Sequence, residues 1–420
     1  MNNFIYNLNF IHAFVAVAFI VILFLCIFFW FKPFETTLAM LFLRPLINLA
    51  RDVKFSIGPL EFKLLWLYTI FLIFLGFQYA LINKRITLPQ IFLIPFIVFF
   101  TICFMSLFYT SDLFWGIGDF FRLFSAFIYF LLFYELLTEK KQAVIAIKVM
   151  VLSYLLTLPF AIYNLIAKTG FIEHGSLLRI VSTFSTPNAY ASYLVFVSLS
   201  ALFIILNKEF KDKFLFIVIF ILSLASLILT WTRTGWIAFS FAFLIFFSLK
   251  DKRYLIISII VVLLLWSFPP IHERFLESFQ KKEIGMSSWH WRLMVWRDLL
   301  KAFVTHPIQG FGLGSRFDVF QKIEGSKMWP HNDYIRLLIE LGLLGFFSFC
   351  SILLVLLKKI LNYINHSDPF IRDLNILSFS ILTSFCIISF ATNQLTDVTM
   401  LMFVFSLLGL TLKLNQVSEN

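Results

Sequence analysis

The stretch Trp329-Pro330-His331-Asn332-Asp333-Tyr334-Ile335-Arg336, running on through residues 337–345, decides how the rest of the chain is read. It closes the only long polar interval of the sequence and passes directly into an apolar helix. A histidine, an amide and an acid are thus held where water meets hydrocarbon. That position suits chemistry on something anchored in lipid but reacting in water. Outward from it, apolar runs of about 20 residues recur, each enough to cross roughly 30 Å of hydrocarbon as helix. Of 420 residues, 60% are hydrophobic, 14% are charged and 58 are Phe, with a mean hydropathy of +0.92. A soluble domain of this length cannot hide that much apolar surface. The class is an all-α polytopic membrane protein.

Spans fall near 10–31, 57–82, 88–110, 113–137, 142–168, 187–207, 212–231, 234–249, 253–268, 334–357, 371–391 and 396–414, about twelve in all. Lys84 and Arg85, Lys140 and Lys141, Lys208, Lys211 and Lys213, Lys250, Lys252 and Arg253, Lys358 and Lys359, and Lys413 lie on alternate loops. The positive-inside rule makes those loops cytoplasmic, with both termini inside. Much of the net charge of +11 is therefore topology signal, not a nucleic-acid surface. Residues 32–56 break the pattern: they should lie outside, yet carry Lys32, Arg44, Arg51 and Lys54. The apolar stretch 34–50 reads as an interfacial or re-entrant helix. Cys26, Cys103, Cys350 and Cys386 sit in apolar runs without metal-ligand spacing and read as packing residues. The first run lacks a basic n-region and a small-residue cleavage site, as expected of a retained span.

The chain divides into N-terminal membrane helices (1–168), central helices with outer Arg-bearing loops (169–268), an outer loop domain (269–333) and C-terminal helices (334–420). The loop domain, between spans nine and ten, holds Gly310-Phe311-Gly312-Leu313-Gly314 and reads as ordered rather than as a tether.

Several residues there and nearby can carry chemistry. Residues 287–300 read as a serine-capped helix. At 100° per residue, Trp289, Leu293, Trp296, Leu299, Leu300 and Phe303 share a face that also contains Arg292. An arginine aimed into an apolar face calls for an anion, and guanidinium suits phosphate through paired donors. Snorkelling to lipid headgroups explains it equally well. Arg233, in the turn Thr232-Arg233-Thr234-Gly235, reads as a headgroup anchor or an anion ligand. Arg179 precedes Pro187-Asn188, a helix start whose free N–H groups face outward. Arg122 lies deep in the fourth span, about 13 Å along it, with Asp119 at i−3; such depth suggests function, and a structural pair is the plainer reading. His331, before a helix that Asn332 or Asp333 can cap, can act as a neutral general base or simply hydrogen-bond at the interface. Arg336 and Glu340 are spaced to pair, and Gly342 and Gly345 permit close helix approach. No metal-binding pattern emerges, so a metal-independent reaction without cofactor is expected.

Taken together, these pieces resemble the O-antigen ligase and polymerase family of bacterial membrane glycosyltransferases. The resemblance rests on Arg179…Phe184…Pro187-Asn188, Thr232-Arg233-Thr234-Gly235, Arg292…Trp296…Pro307…Gly310-Phe311-Gly312, and His331-Asn332…Glu340-Leu341-Gly342…Gly345, in the family's order. Asn393 and the apolar run ending at Gly409 resemble its final span. It covers about residues 175–412; the first half matches only as a set of spans.

The resemblance implies a donor glycan on undecaprenyl diphosphate, held by Arg179, Arg233 and Arg292, with Asn188, Asn332 and Arg122 in support. It implies that His331 activates the acceptor hydroxyl, at the outer face of a bacterial inner membrane, without nucleotide sugar. Gly342-Leu343-Leu344-Gly345 lacks the paired threonines of some ligases. Ligation to a lipid A core sugar is the first expectation. Repeat-unit polymerisation and transfer to protein are variants. A lipid-linked glycan transporter or flippase is the rival class, predicting similar halves and charges along a central path.

Overall fold

The computed structural model describes residues 24–51, 53–57, 60–83, 86–173, 177–276, 288–325 and 329–419. Among these, seven helices are long and apolar enough to cross a membrane: Leu113–Leu136, Lys140–Ala167, Pro187–Leu206, Arg233–Lys250, Asp333–Leu361, Pro369–Ala391 and Val398–Glu419. Four shorter apolar helices accompany them, Tyr68–Ile82, Gln90–Ser106, Phe214–Leu229 and Arg253–Ser267. The chain is a helical, polytopic membrane protein. Of the expected first span only residues 24–31 are described, and they are helical; Lys84, Arg85 and Ser287 also lie outside the described residues. Two short hairpins were not expected, Lys54–Ile57 with Leu60–Lys63 and Phe171–Glu173 with Leu177–Arg179.

Val398–Glu419 is the central helix and is almost wholly buried. It packs along Leu113–Leu136 closely enough that a Cβ on Gly409 would stand 2.3 Å from the Phe130 carbonyl oxygen. Only glycine allows that approach, and Tyr129, Phe130 and Phe133 seal the contact. The loops sort to two ends. At one, Lys140 bonds Glu209 and Asp368, Lys250 pairs with Asp373, and Lys359 reaches Glu419. At the other, Tyr109 bonds the Gln309 carbonyl, Thr110 the Leu313 carbonyl, and Arg179 the Thr232 hydroxyl. The lysine-rich loops are thus gathered opposite the loops that carry the candidate site residues.

The stretch expected as an interfacial or re-entrant helix is the helix Pro33–Ile47, and it does not lie on a surface. Phe34, Leu38, Leu41 and Arg44 are buried against neighbouring helices. Phe34 meets Phe133 at the lysine-rich end, while Asn48 bonds Thr399 at the site end. The helix therefore traverses the bundle. Its arginine spoiled the charge pattern because Arg44 is an interior residue, not a loop charge.

Residues 269–333 contribute helices Pro269–Leu276, Ser288–Phe303 and Arg316–Glu324, and their glycine-rich part does more than fold on itself. The Asp333–Leu361 helix breaks at Gly342 (φ 63°, ψ −163°). Phe311 and Gly312 N–H groups donate to the freed Ile339 and Glu340 carbonyls, both at 2.8 Å. Leu343 N–H in turn donates to the Pro307 carbonyl at 2.8 Å, and Leu344 N–H to Ile308. Four backbone groups released by the kink are thereby re-satisfied, as irregular backbone within a membrane protein requires. A Cβ on Gly342 would stand 2.2 Å from the Ile308 oxygen.

Candidate functional site

Behind that inserted segment lies a buried ionic cluster. Arg316, delivered by the chain just after Gly314, pairs with both Asp119 and Glu340; Arg336 bonds Asp119 at 2.7 Å and Glu340 at 2.9 Å. Arg122 also pairs with Asp119. The Arg316 guanidinium is further packed against the rings of Phe317 and Trp329, at 4.7 and 4.8 Å. Charges this deep persist only when paired and hydrogen-bonded. The cluster ties the loop segment carrying Arg316 to the helices Leu113–Leu136 and Asp333–Leu361. The expected Arg336–Glu340 and Asp119–Arg122 pairs are both present, and Arg316 joins them, a role its sequence position gave no hint of.

His331 is held from both sides. The Trp296 indole N–H donates to the Pro330 carbonyl at 2.8 Å. Asn332 caps the following helix, its Oδ1 accepting from Tyr334 and Ile335 N–H. Asp333 does not cap; its carboxylate accepts from Leu395 N–H at 3.0 Å. Between these anchors His331 takes a left-handed conformation (φ 51°), uncommon for any residue with a Cβ. Its Nδ1 lies 3.3 Å from the Asn393 amide nitrogen, and the Trp291 ring stands edge-on at 6.3 Å. Burial, reinforced by the Arg292 charge, pulls the imidazole down to about 4, so it is neutral at ambient pH.

Arg292 comes from the Ser288–Phe303 helix, whose inward face differs from expectation. Val295, Trp296 and Leu299 are buried with Arg292 turned to the same side, whereas Leu293 and Leu300 are exposed. The two leucines share an open apolar groove with Arg297 and Lys301. Arg292 donates to the Ala391 carbonyl at 3.0 Å. Among the described residues no carboxylate pairs with it. Burial and then the Arg179 charge lower its affinity for its proton.

Arg179 ends the second hairpin and is clamped by the Thr230 carbonyl (2.8 Å) and the Thr232 hydroxyl (2.9 Å), with Asn188 at 3.4 Å. Asn188 opens the helix Pro187–Leu206, as expected, with Thr186 as its cap. Arg233 turns elsewhere, donating to the Arg274 carbonyl at 3.1 Å.

Beside His331 opens a cavity of about 670 Å³, within the range of small-ligand sites. His331, Asn188 and Arg122 line it; Arg179, Arg233 and Arg292 do not. Its other walls come from the helices Pro33–Ile47, Leu64–Asn83 and Leu113–Leu136 and from residues 392–398. Of the candidate residues, His331, Asn188 and Arg122 thus share the cavity, and Arg179, Arg233 and Arg292 stand off it.

Residues 218–350 match the family model described as O-antigen ligase. The chain carries an O-antigen ligase domain. No curated protein matches the chain. The matched segment contains Arg233, Arg292, His331 and the Gly342 break, and ends before Asn393. Arg179, Asn188, Arg122 and most of the cavity wall lie outside it. An O-antigen ligase domain implies glycan transfer of the ligase or polymerase type, with a lipid-linked glycan as substrate and the membrane as its setting. Most of the cavity's lining was not marked in the sequence as candidate residues. Asp397 stands alone between apolar runs, which was a usable signal; Trp66 and Phe114 sit among so many aromatics that none existed.

Proposed function

We propose that this protein is an O-antigen ligase-like glycosyltransferase. It moves a glycan from undecaprenyl diphosphate to an acceptor sugar of the lipid A core type, at the outer face of a bacterial inner membrane. The observation that carries the reading is Arg292, which has no carboxylate partner among the described residues, feels the Arg179 charge and acts on a neutral His331. Two guanidiniums whose charges oppose one another, one of them half-buried without a carboxylate, call for an anion. A diphosphate supplies it.

In this reading the acceptor hydroxyl attacks the anomeric carbon with inversion. Its proton passes to His331 Nε2, the ring nitrogen not facing Asn393. The bond from the anomeric carbon to the diphosphate oxygen breaks, and the electron pair leaves with the diphosphate. Charge grows on that oxygen as the bond lengthens, and preorganised guanidiniums in a half-dry site stabilise it. Arg233 and Asn332 support the site from the second row, one through the 269–276 helix and one through the cap beneath the histidine. A repeat-unit polymerase would use the same donor chemistry with another lipid-linked unit as acceptor.

The test is His331→Ala in reconstituted membranes with a synthetic undecaprenyl-diphosphate glycan. Transfer should be lost while the protein stays folded; retained transfer removes the base. A deletion strain separates the two acceptors. Loss of glycan on the core with long carrier-bound chains marks a ligase, and accumulation of single repeats marks a polymerase.

A further inference from the structure

We infer that the cavity beside His331 is a saccharide subsite that takes an uncharged, hydroxyl-rich sugar, the acceptor, and discriminates against phosphorylated or acidic ones. The inference rests on the transfer reaction proposed above for the choice of acceptor over any other sugar. The site itself stands on the cavity.

Three guanidiniums reach its wall, and each is already engaged. Arg122 is bonded to Asp119. Arg44 donates to Asn48 at 2.7 Å, and its charge acts on Asp397. Arg51 donates to the Thr183 carbonyl and has a further partner. The wall therefore presents little uncommitted positive charge, and Arg292 stands off it. What it does present is aromatic and amide surface. Trp66 and Phe114 stand together at 4.7 Å between ring centres, with Phe121 and Trp329 on the same cavity. Flat faces of this kind match the C–H face of a pyranose ring.

On the same cavity, Asn393 and Gln394 each hold a buried amide oxygen with no hydrogen-bond partner, and Asp397 a carboxylate oxygen in the same state. Three unsatisfied acceptors among the lining residues call for donors. Sugar hydroxyls are donors. Phosphate and carboxylate oxygens are acceptors and would face these three in repulsion. The cavity's volume of about 670 Å³ holds more than one sugar ring. These walls come largely from residues outside the 218–350 match, which holds Arg292 and His331.

The experiment is saturation-transfer NMR on the full chain in nanodiscs, without donor, using methyl β-glucoside as the neutral probe. Glucose 6-phosphate and methyl glucuronoside serve as charged competitors. The neutral glycoside should give saturation at its ring C–H protons, and at least tenfold excess of either charged sugar should leave it unchanged. Phe114→Ala, at a half-exposed position, and Trp66→Leu should each weaken binding at least tenfold with an unaltered unfolding midpoint. Displacement by the charged sugars at equal concentration, or unchanged binding in both variants, overturns the inference. Because no donor is present, failure here leaves the His331 transfer test untouched. Binding without any transfer would sink the reaction and keep the sugar site.

Discussion

Arg292→Gln separates a catalytic guanidinium from a structural one. The native side chain makes one hydrogen bond, to the Ala391 carbonyl, and has no carboxylate partner among the described residues. Losing that bond removes about 1 kcal/mol of stability. Losing a half-buried charge that opposes Arg179 returns a comparable amount. The unfolding midpoint should therefore move by less than about 3 °C. Against a developing diphosphate anion the same group matters more. Removing one preorganised donor at such a site costs roughly 3–4 kcal/mol, or about 10²–10³ in rate. Arg292→Lys keeps a charge but not the fork, and should fall near tenfold. The assay is kcat/KM for an undecaprenyl-diphosphate glycan in nanodiscs, with the midpoint recorded on the same preparation. A Gln variant within threefold of native activity refutes the diphosphate role. A variant that loses activity and midpoint together shows that Arg292 was holding structure.

Further outcomes follow from the same geometry. His331 must be neutral to accept a proton, and burial with the Arg292 charge sets it at about 4 instead of 6.5. The acid limb of kcat/KM should therefore lie near 4, and Arg292→Gln should move it upward without bringing it fully back, since burial remains. Stability carries the same sign: the unfolded histidine takes up protons first, so the histidine's contribution is present above pH 6.5 and lost on acidification, a slope absent from His331→Gln. Asp119→Asn leaves Arg122, Arg316 and Arg336 around a neutral amide with only Glu340 to balance them, and should destabilise by about 3–5 kcal/mol, read as a large drop in unfolding midpoint in detergent. Gly342→Ala should cost about 3 kcal/mol or more, since its Cβ meets the Ile308 oxygen at 2.2 Å. Gly325→Ala, equally left-handed at φ 70° but in open space, should cost only about 1 kcal/mol. Equal losses at the two glycines would show that the inserted segment contributes nothing.

The legible part of this fold was whatever repeats along a helix or caps one. Apolar runs located most of the helices because every side of a buried membrane helix is greasy, but the expected span 57–82 took in the strand Leu60–Lys63, and Pro33–Ile47 was not read as a crossing helix. Pro187 and Asn332 marked helix starts because capping is local chemistry. The Arg336–Glu340 pair was readable because its partners are four residues apart. Arg316 was not, since its partners Asp119 and Glu340 lie 197 and 24 residues away. Arg44 misled for a related reason: a cation counted as a loop charge was an interior one. The inward face of the Ser288–Phe303 helix was misplaced because an interfacial helix has two apolar sides, one for protein and one for its surroundings. Helical periodicity alone does not rank them. Side chains from distant helices that share one cavity, such as Trp66, Asn188 and Asn393, have no signature in sequence order.

The break at Gly342 also constrains how the protein comes to be built. Residues 307–314 leave the ribosome before the helix whose interrupted ladder they complete. A helix 333–361 entering the bilayer alone would carry Arg336, Glu340 and open backbone groups at its break into lipid. The segment and Asp119 must therefore be at hand when that helix arrives. The 307–314 segment is in this sense an internal chaperone for the last quarter of the chain. Its docking is a step of biogenesis that precedes any encounter with substrate.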